Sequence, residues 1–221
     1  MVCHIDPRMH NADAVPRVWG AISGYAAMMH QAENSTARGL LVARLHLLRA
    51  RLGRSLIGYE DTCGLIERTI SHGSLPTILA WGGARVGTGV SLRPFTLDNA
   101  TNGFENLETG DEVFIGRRCF FDLADKIIIQ SGAALSGNVQ VYTHGDVGHR
   151  PLAPYMPRRQ GPVLIGQGAW VGAGAILLPG TSVGAMSVVG AGSVVTRPLP
   201  PGGVFAGVPA VMIKALPLRE R

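Results

Sequence analysis

Large aliphatic residues recur at every sixth position late in the chain: Ile165, Val171, Leu177, Val183, Val189 and Val195. A helix repeats near 3.6 residues and a simple strand near 2, so a strict six matches neither alone. It matches a coiled ribbon of very short strands. The residue after each aliphatic is usually glycine (Gly166, Gly172, Gly184, Gly190), and the residue four positions on is small (Ala169, Ala175, Thr181, Ser187, Ser193). A large inward residue, a flexible corner and a small inward residue describe a β-solenoid with one hexapeptide per flat face. The same phase occurs upstream at Val86-Gly87 and Leu92, with Val90 and Thr96 at the small positions. It resumes through Thr109, Ile115, Phe121, Ile129, Leu135 and Val141, with two residues inserted between Phe121 and Ile129.

Breaks in the period divide the chain. Segments 97–108 and 143–162 leave the repeat and read as surface loops, because insertions exit a solenoid at its corners. The second holds His144, Asp146, His149, Arg150, Tyr155, Arg158 and Arg159, the densest reactive chemistry in the chain. After Val195 the sequence Arg197-Pro198-Leu199-Pro200-Pro201-Gly202-Gly203 predicts a turn-rich exit with no room for further strand. Ahead of the repeat, Val15, Trp19, Ile22, Ala26 and Met29 predict an amphipathic helix. Leu41, Leu45, Leu48 and Leu52 predict a second, from Thr36 to Leu52, and Thr62 to Thr69 a short third. The expected organisation is an N-terminal helical extension over 1–72, the repeat over 73–197 and a turn and tail over 198–221.

Composition narrows this reading. Thirty Gly and 14 Pro in a chain that is 46% hydrophobic argue against disorder and for many corners. A net charge of +5 suits an anionic ligand such as a phosphorylated cofactor. The arginines are scattered and lack aromatic interleaving, so no nucleic-acid partner is expected. The three cysteines, Cys3, Cys63 and Cys119, lack metal or CxxC spacing, which fits a reduced intracellular chain. Cys119 stands four residues after Ile115 and is expected as a small inward residue. No stretch gives about 18 unbroken apolar residues and the first residues lack a signal pattern, so a soluble, cytoplasmic chain without a membrane span is expected.

The stretch VLIGQGAWVGAGAILLPGTSVGAMSVVGAGSVVTRPLPPGGVFAGVPAVMIK, preceded by GRRCFFDLADKIIIQSGAALSGNVQVYTHGD, resembles the hexapeptide-repeat acyltransferases, among them the maltose, galactoside, serine and polysaccharide O-acetyltransferases. The resemblance covers about residues 85 to 214 and not the N-terminal third. It implies a mainly β fold, a left-handed parallel β-helix with three hexapeptides per coil, assembled as a homotrimer with active sites between subunits. Handedness rests on the resemblance, since parallel crossovers are otherwise right-handed.

The implied activity is direct acetyl transfer from acetyl-CoA to a hydroxyl of a small-molecule acceptor, with no metal. In THGD, His144 matches the family's general base, and His149 is the rival. Asp122 and Asp125 match the region of acceptor-binding residues, where a carboxylate can hold an acceptor hydroxyl or orient the base; a corner Asp capping a turn is the alternative. Trp170, Ala173, Ala191, Thr196, Arg197 and Lys214 match positions that line coenzyme A, while Val211 stands where some relatives carry Arg. An amine acceptor, a zinc-dependent carbonic anhydrase of similar fold and a non-catalytic scaffold are the other readings. The carbonic anhydrase needs three converging histidines, and only His144 and His149 lie near the repeat.

Overall fold

The computed structural model describes Leu48, residues 74–100 and residues 103–217. The helices expected over 15–29, 36–52 and 62–69 lie outside the described residues except for Leu48, which is helical and exposed. Leu75, Ile78 and Leu79 share one face of a short helix, α1 (Leu75–Trp81), and all three are buried. They join the same apolar cluster as the strands that follow, so α1 closes one end of the core. The period of six does not show this helix, which occupies the start of the segment read as repeat.

The chain then coils. The first coil is β1 (Arg85–Val86), β2 (Ser91–Leu92) and β3 (Thr96–Asp98); the second is β4 (Leu107–Thr109), β5 (Phe114–Ile115) and β6 (Phe120–Asp122). The third is β7 (Ile127–Ile129), β8 (Ala134–Leu135) and β9 (Gln140–Val141), after which a two-stranded ribbon, β10 (His144–Gly145) and β11 (Arg159–Gln160), leaves the coil. The fourth coil is β12 (Val163–Ile165), β13 (Trp170–Val171) and β14 (Ile176–Leu177), and the fifth β15 (Ser182–Val183), β16 (Val188–Val189) and β17 (Val194–Val195). Stacked strands form three parallel faces, β1-β4-β7-β12-β15, β2-β5-β8-β13-β16 and β3-β6-β9-β14-β17. Register is in phase throughout: Leu177 pairs with Val141 and Val195, and Val171 with Leu135 and Val189.

The inward positions are those the period marks. Ile115, Phe121, Ile129, Leu135, Val141, Ile165, Val171, Leu177, Val183, Val189 and Val195 have no exposed surface. Each such side chain contributes roughly 1.5–3 kcal/mol by leaving water. The small positions point in as well. Ala169, Ala175, Ser187 and Ser193 are buried, and so is Cys119, whose thiol donates to the Ser136 carbonyl and is pushed up to about 11 by burial.

Four expectations need correction. Thr96, expected at a small inward position, is only half-buried and pairs with Phe120, while Phe95 and Leu97 on either side of it are buried. The segment 97–108, expected as a loop, gives Leu97 and Asp98 to β3 and Leu107 and Glu108 to β4, so the chain leaves the coil between those strands. The tail contains strands: β18 (Gly203–Ala206) runs parallel to β16, and β19 (Val211–Ala215) returns antiparallel to β18. The phase slips by two residues through the prolines and resumes, since Leu199 bridges Val183 and Phe205 pairs with Val189. The glycines after the aliphatics are also not there for flexibility. At Gly172 a Cβ would lie 2.6 Å from Ala191 N and 2.7 Å from Val189 O, backbone atoms of the next coil. The left-handed corner residues fall two positions later, as at Gly174 (φ +69), where a Cβ would meet nothing. Only backbone could yield at Gly172, so Gly172→Ala is expected to cost about 3 kcal/mol, the upper range for overpacking. Gly174→Ala, which adds only backbone strain, should cost about 1 kcal/mol in the same urea titration. The reverse order would contradict the close-approach explanation.

Candidate active site

Asp122 ends β6 one residue after the inward Phe121, so its side chain starts on the outer side of the coil. It is nevertheless buried, 1% exposed, beneath the segment after β3 and the segment after β9. A buried carboxylate is tolerated only where hydrogen bonds replace water, and here both oxygens are occupied. Oδ2 accepts the backbone N–H of Thr143 and of His144, each at 2.9 Å, and lies 2.6 Å from His144 Nδ1. Oδ1 accepts Asn99 Nδ2 at 2.8 Å and the Ala124 N–H at 3.1 Å.

These bonds also settle the ionisation. Burial raises the Asp122 carboxyl, but the bonds from His144, Thr143 and Ala124 outweigh it, and the group titrates below its ordinary value of 3.8. A carboxylate only accepts, so Nδ1 of the neutral His144 ring carries the hydrogen and Nε2 carries the lone pair. No protein hydrogen bond reaches Nε2 among the described residues, and the side chain keeps 27% of its exposure. His144 is thus an oriented imidazole with its basic nitrogen available.

Thr143, fully buried, ties the corner together. Its hydroxyl donates to the Asp122 carbonyl at 2.7 Å and accepts the Asp125 N–H at 2.9 Å. The ribbon pairs His144 with Gln160, and Gln160 Nε2 donates to the Ala124 carbonyl at 3.1 Å. Within the ribbon Arg158 bonds Gln160 and Asp146.

The depressed Asp122 value has a measurable consequence. The folded state binds this proton less tightly than the unfolded chain, so the stabilisation is complete above 3.8 and is lost as pH falls through the lower folded value. Urea midpoints taken from about pH 7 down to about pH 3 should show the gap between wild type and Asp122→Asn narrowing only at the acid end. A gap constant over the whole range would contradict this assignment.

The other sequence-derived candidates fall in two places. Asp122, Asp125 and His144 share the corner that follows the third face, and Thr196 and Arg197 lie at the same corner two coils on. Asp122, expected to hold an acceptor hydroxyl or to orient the base, meets His144 through Oδ2, and both of its carboxylate oxygens accept hydrogen bonds within the protein. Asp125 caps its turn, with Oδ1 accepting the Lys126 N–H at 2.7 Å. His149 is exposed on the loop and has no carboxylate partner among the described residues. Trp170 is exposed on the second face, with Nε1 donating to Ser136 Oγ at 3.0 Å. Trp170, Val188, Val204 and Lys214 stand in register across that face. Ala173 and Ala191 are exposed and stacked at its far edge, where Gly192 N–H donates to the Ala173 carbonyl. Trp170, Ala173, Ala191 and Lys214 thus lie on or beside the second face, and His144 follows the third. Asn99, Thr143 and Gln160 carry no signal in the sequence, because each sits where the repeat is broken and no period marks it.

Among the described residues no helix is long and apolar enough to cross a membrane. A family profile described as bacterial transferase hexapeptide (six repeats) matches residues 162–197. Nodulation protein L of Rhizobium meliloti is 41% identical over 132 residues, 58% of this chain and 69% of that protein. Galactoside O-acetyltransferase of Escherichia coli (strain K12) is 30% identical over 118 residues, 51% of this chain and 58% of that protein. The chain spans 54% to 61% of the first three curated relatives it matches. A maltose O-acetyltransferase from Clostridium difficile 630 superposes with a TM-score of 0.60 at 28% identity, over 73% of this chain and 88% of that one. A hexapeptide-repeat acetyltransferase from Vibrio cholerae O1 biovar eltor, solved with acetyl coenzyme A, shares the fold with a TM-score of 0.60 at 21% identity, over 83% and 92%. The shared architecture is the left-handed parallel β-helix, and the chain belongs to the hexapeptide-repeat acyltransferase family.

Proposed function

We propose that this protein transfers an acetyl group from acetyl-CoA to a hydroxyl of a sugar or similar small acceptor, directly and with His144 as general base. The observation that carries the reading is the 2.6 Å contact between His144 Nδ1 and Asp122 Oδ2, which leaves Nε2 as the proton acceptor. A neutral hydroxyl is a poor nucleophile, so its proton passes to Nε2 as the oxygen attacks the thioester carbonyl. Asp122 stabilises the imidazolium that forms. Collapse of the tetrahedral intermediate breaks the C–S bond, and the proton moves from Nε2 to the departing thiolate. No acyl-enzyme is needed.

The named activities of the galactoside and maltose O-acetyltransferases support the acceptor class, and the acetyl coenzyme A bound by the Vibrio cholerae protein supports the donor. In this reading Trp170, Ala173, Ala191 and Thr196 line the pantetheine arm, Arg197 and Lys214 meet the phosphates, and Asp125 contacts the acceptor. His144 follows the third face, whereas the Trp170–Lys214 row lies on the second face of later coils. A homotrimer in which one subunit supplies the base and its neighbour the donor groove brings them together.

The test is free-thiol release from acetyl-CoA in the presence of sugars, amino sugars and amino acids, with sedimentation of the protein alongside. Release that requires a hydroxyl acceptor supports the reading. Release with amines only turns it into N-acylation, and a chain that neither binds coenzyme A nor releases thiol with any acceptor refutes it.

A further inference from the structure

We infer that Asn99 is a positioning residue for the His144 base, acting through Asp122; the inference rests on the function proposed above. Asn99 follows β3 at the point where the chain leaves the first coil, and it adopts a left-handed conformation (φ 55). Asparagine is among the few side-chain-bearing residues that tolerate this region. Its own N–H is held by Asp98 Oδ1 at 3.0 Å, and in this pose Nδ2 reaches Asp122 Oδ1 at 2.8 Å. The acceptor-only carboxylate fixes which end of the amide faces it.

The bond matters because a carboxyl group can rotate. Oδ2 serves the imidazole and two backbone N–H groups, and it stays there only if Oδ1 is anchored. Ala124, two residues along the same chain segment, supplies one anchor, and Asn99, from a different coil, supplies the other. Apart from His144 and the Thr143 hydroxyl, which also lies 3.2 Å from Oδ2, Asn99 is the only side chain among the described residues that donates to this carboxylate. Without Asn99 the imidazole loses a defined Nδ1–H tautomer. The break in the repeat before residue 103 thus has a chemical use: it lets an asparagine leave the strand pattern and cap the carboxylate of the next coil.

Asn99→Gly tests this cleanly, since glycine adopts the same φ without strain and only the amide is lost. The expected result is a fall in kcat of about tenfold, as for loss of one hydrogen bond to a charged group, with KM for acetyl-CoA within about twofold. In an Asp122→Asn background the same change should alter kcat by less than about twofold, because the path through the carboxylate is already gone. A kcat for Asn99→Gly within about twofold of wild type, or the same tenfold drop in both backgrounds, would overturn the assignment. A second readout needs no turnover: the imidazole ¹⁵N shifts of His144 at slightly alkaline pH. Wild type should show the Nδ1–H tautomer and Asn99→Gly a mixture. Identical spectra overturn the role of Asn99, whereas a wild type inactive with every acceptor counts against the proposed function and leaves the spectra to decide Asn99.

Discussion

Replacing His144 by Ala is expected to slow acetyl transfer by about 10² to 10⁴ while changing acetyl-CoA affinity by no more than about twofold. The asymmetry follows from the placement of the ring. His144 is held at the corner after the third face, whereas the residues assigned to the donor lie mainly on the second face and its edge. Removing the imidazole deletes the proton acceptor and leaves the groove intact. Asp122→Asn should fall in the same direction, because an amide can present N–H to Nδ1 and favour the opposite tautomer. His149→Ala, on an exposed loop residue, should stay within about threefold of wild type. Steady-state kinetics with both substrates varied separates the cases. A loss of less than about tenfold for His144→Ala would remove it as the base.

Phe121→Ala should cost about 3–5 kcal/mol of stability, the range for truncating a fully buried phenylalanine. Phe121 has no exposed surface, its ring centroid lies 5.1 Å from that of Phe95, and its strand pairs in register with β3 below and β9 above. The void would open in the middle of the coil, where three faces converge and none can close without breaking ladder hydrogen bonds. Leu164→Ala on the outer side of β12, where the side chain is 36% exposed, should change stability by about 0.5 kcal/mol or less. Urea unfolding monitored by far-ultraviolet circular dichroism checks both. Equal losses at the two positions would mean that inward and outward sides are not distinguished as described. Because Asp122 is the next residue, Phe121→Ala should also loosen the carboxylate, and activity should fall in folded protein.

The period of six identified the solenoid and its large inward residues from Ile115 to Val195, though not Leu97 or the bounds of the first loop. It did so because a hexapeptide is a local unit, with each large residue buried by its own coil and the next. Cys119 and the small inward residues were legible for the same reason. Other features were invisible to it. Helix α1 is too short to show a helical pattern and is held by packing on the first coil. Strand β18 was hidden by a slip of two residues through a proline-rich turn, which shifts Leu199 and Phe205 off the expected positions. Glycine at the corners was legible, but its reason was not: the spacing between Gly172 and the Ala191 backbone belongs to stacked coils and not to any one hexapeptide.

The site divides in the same way. His144 and Asp122 stood out because THGD and FFDLADK resemble motifs of the acyltransferase family. By itself the sequence determined the fold class, the inward positions of the regular repeats and the residue types available for chemistry, since these depend on contacts between near neighbours in a repeating unit. Only the tertiary structure decided that Asp122 Oδ2 meets His144 Nδ1 and that Asn99 caps the same carboxylate. Those relations join residues on different coils, 22 or 23 positions apart in the chain, and irregular insertions set that spacing. A periodic pattern carries no information about where an insertion returns, so the partners of a buried charge emerge only when the coils are stacked.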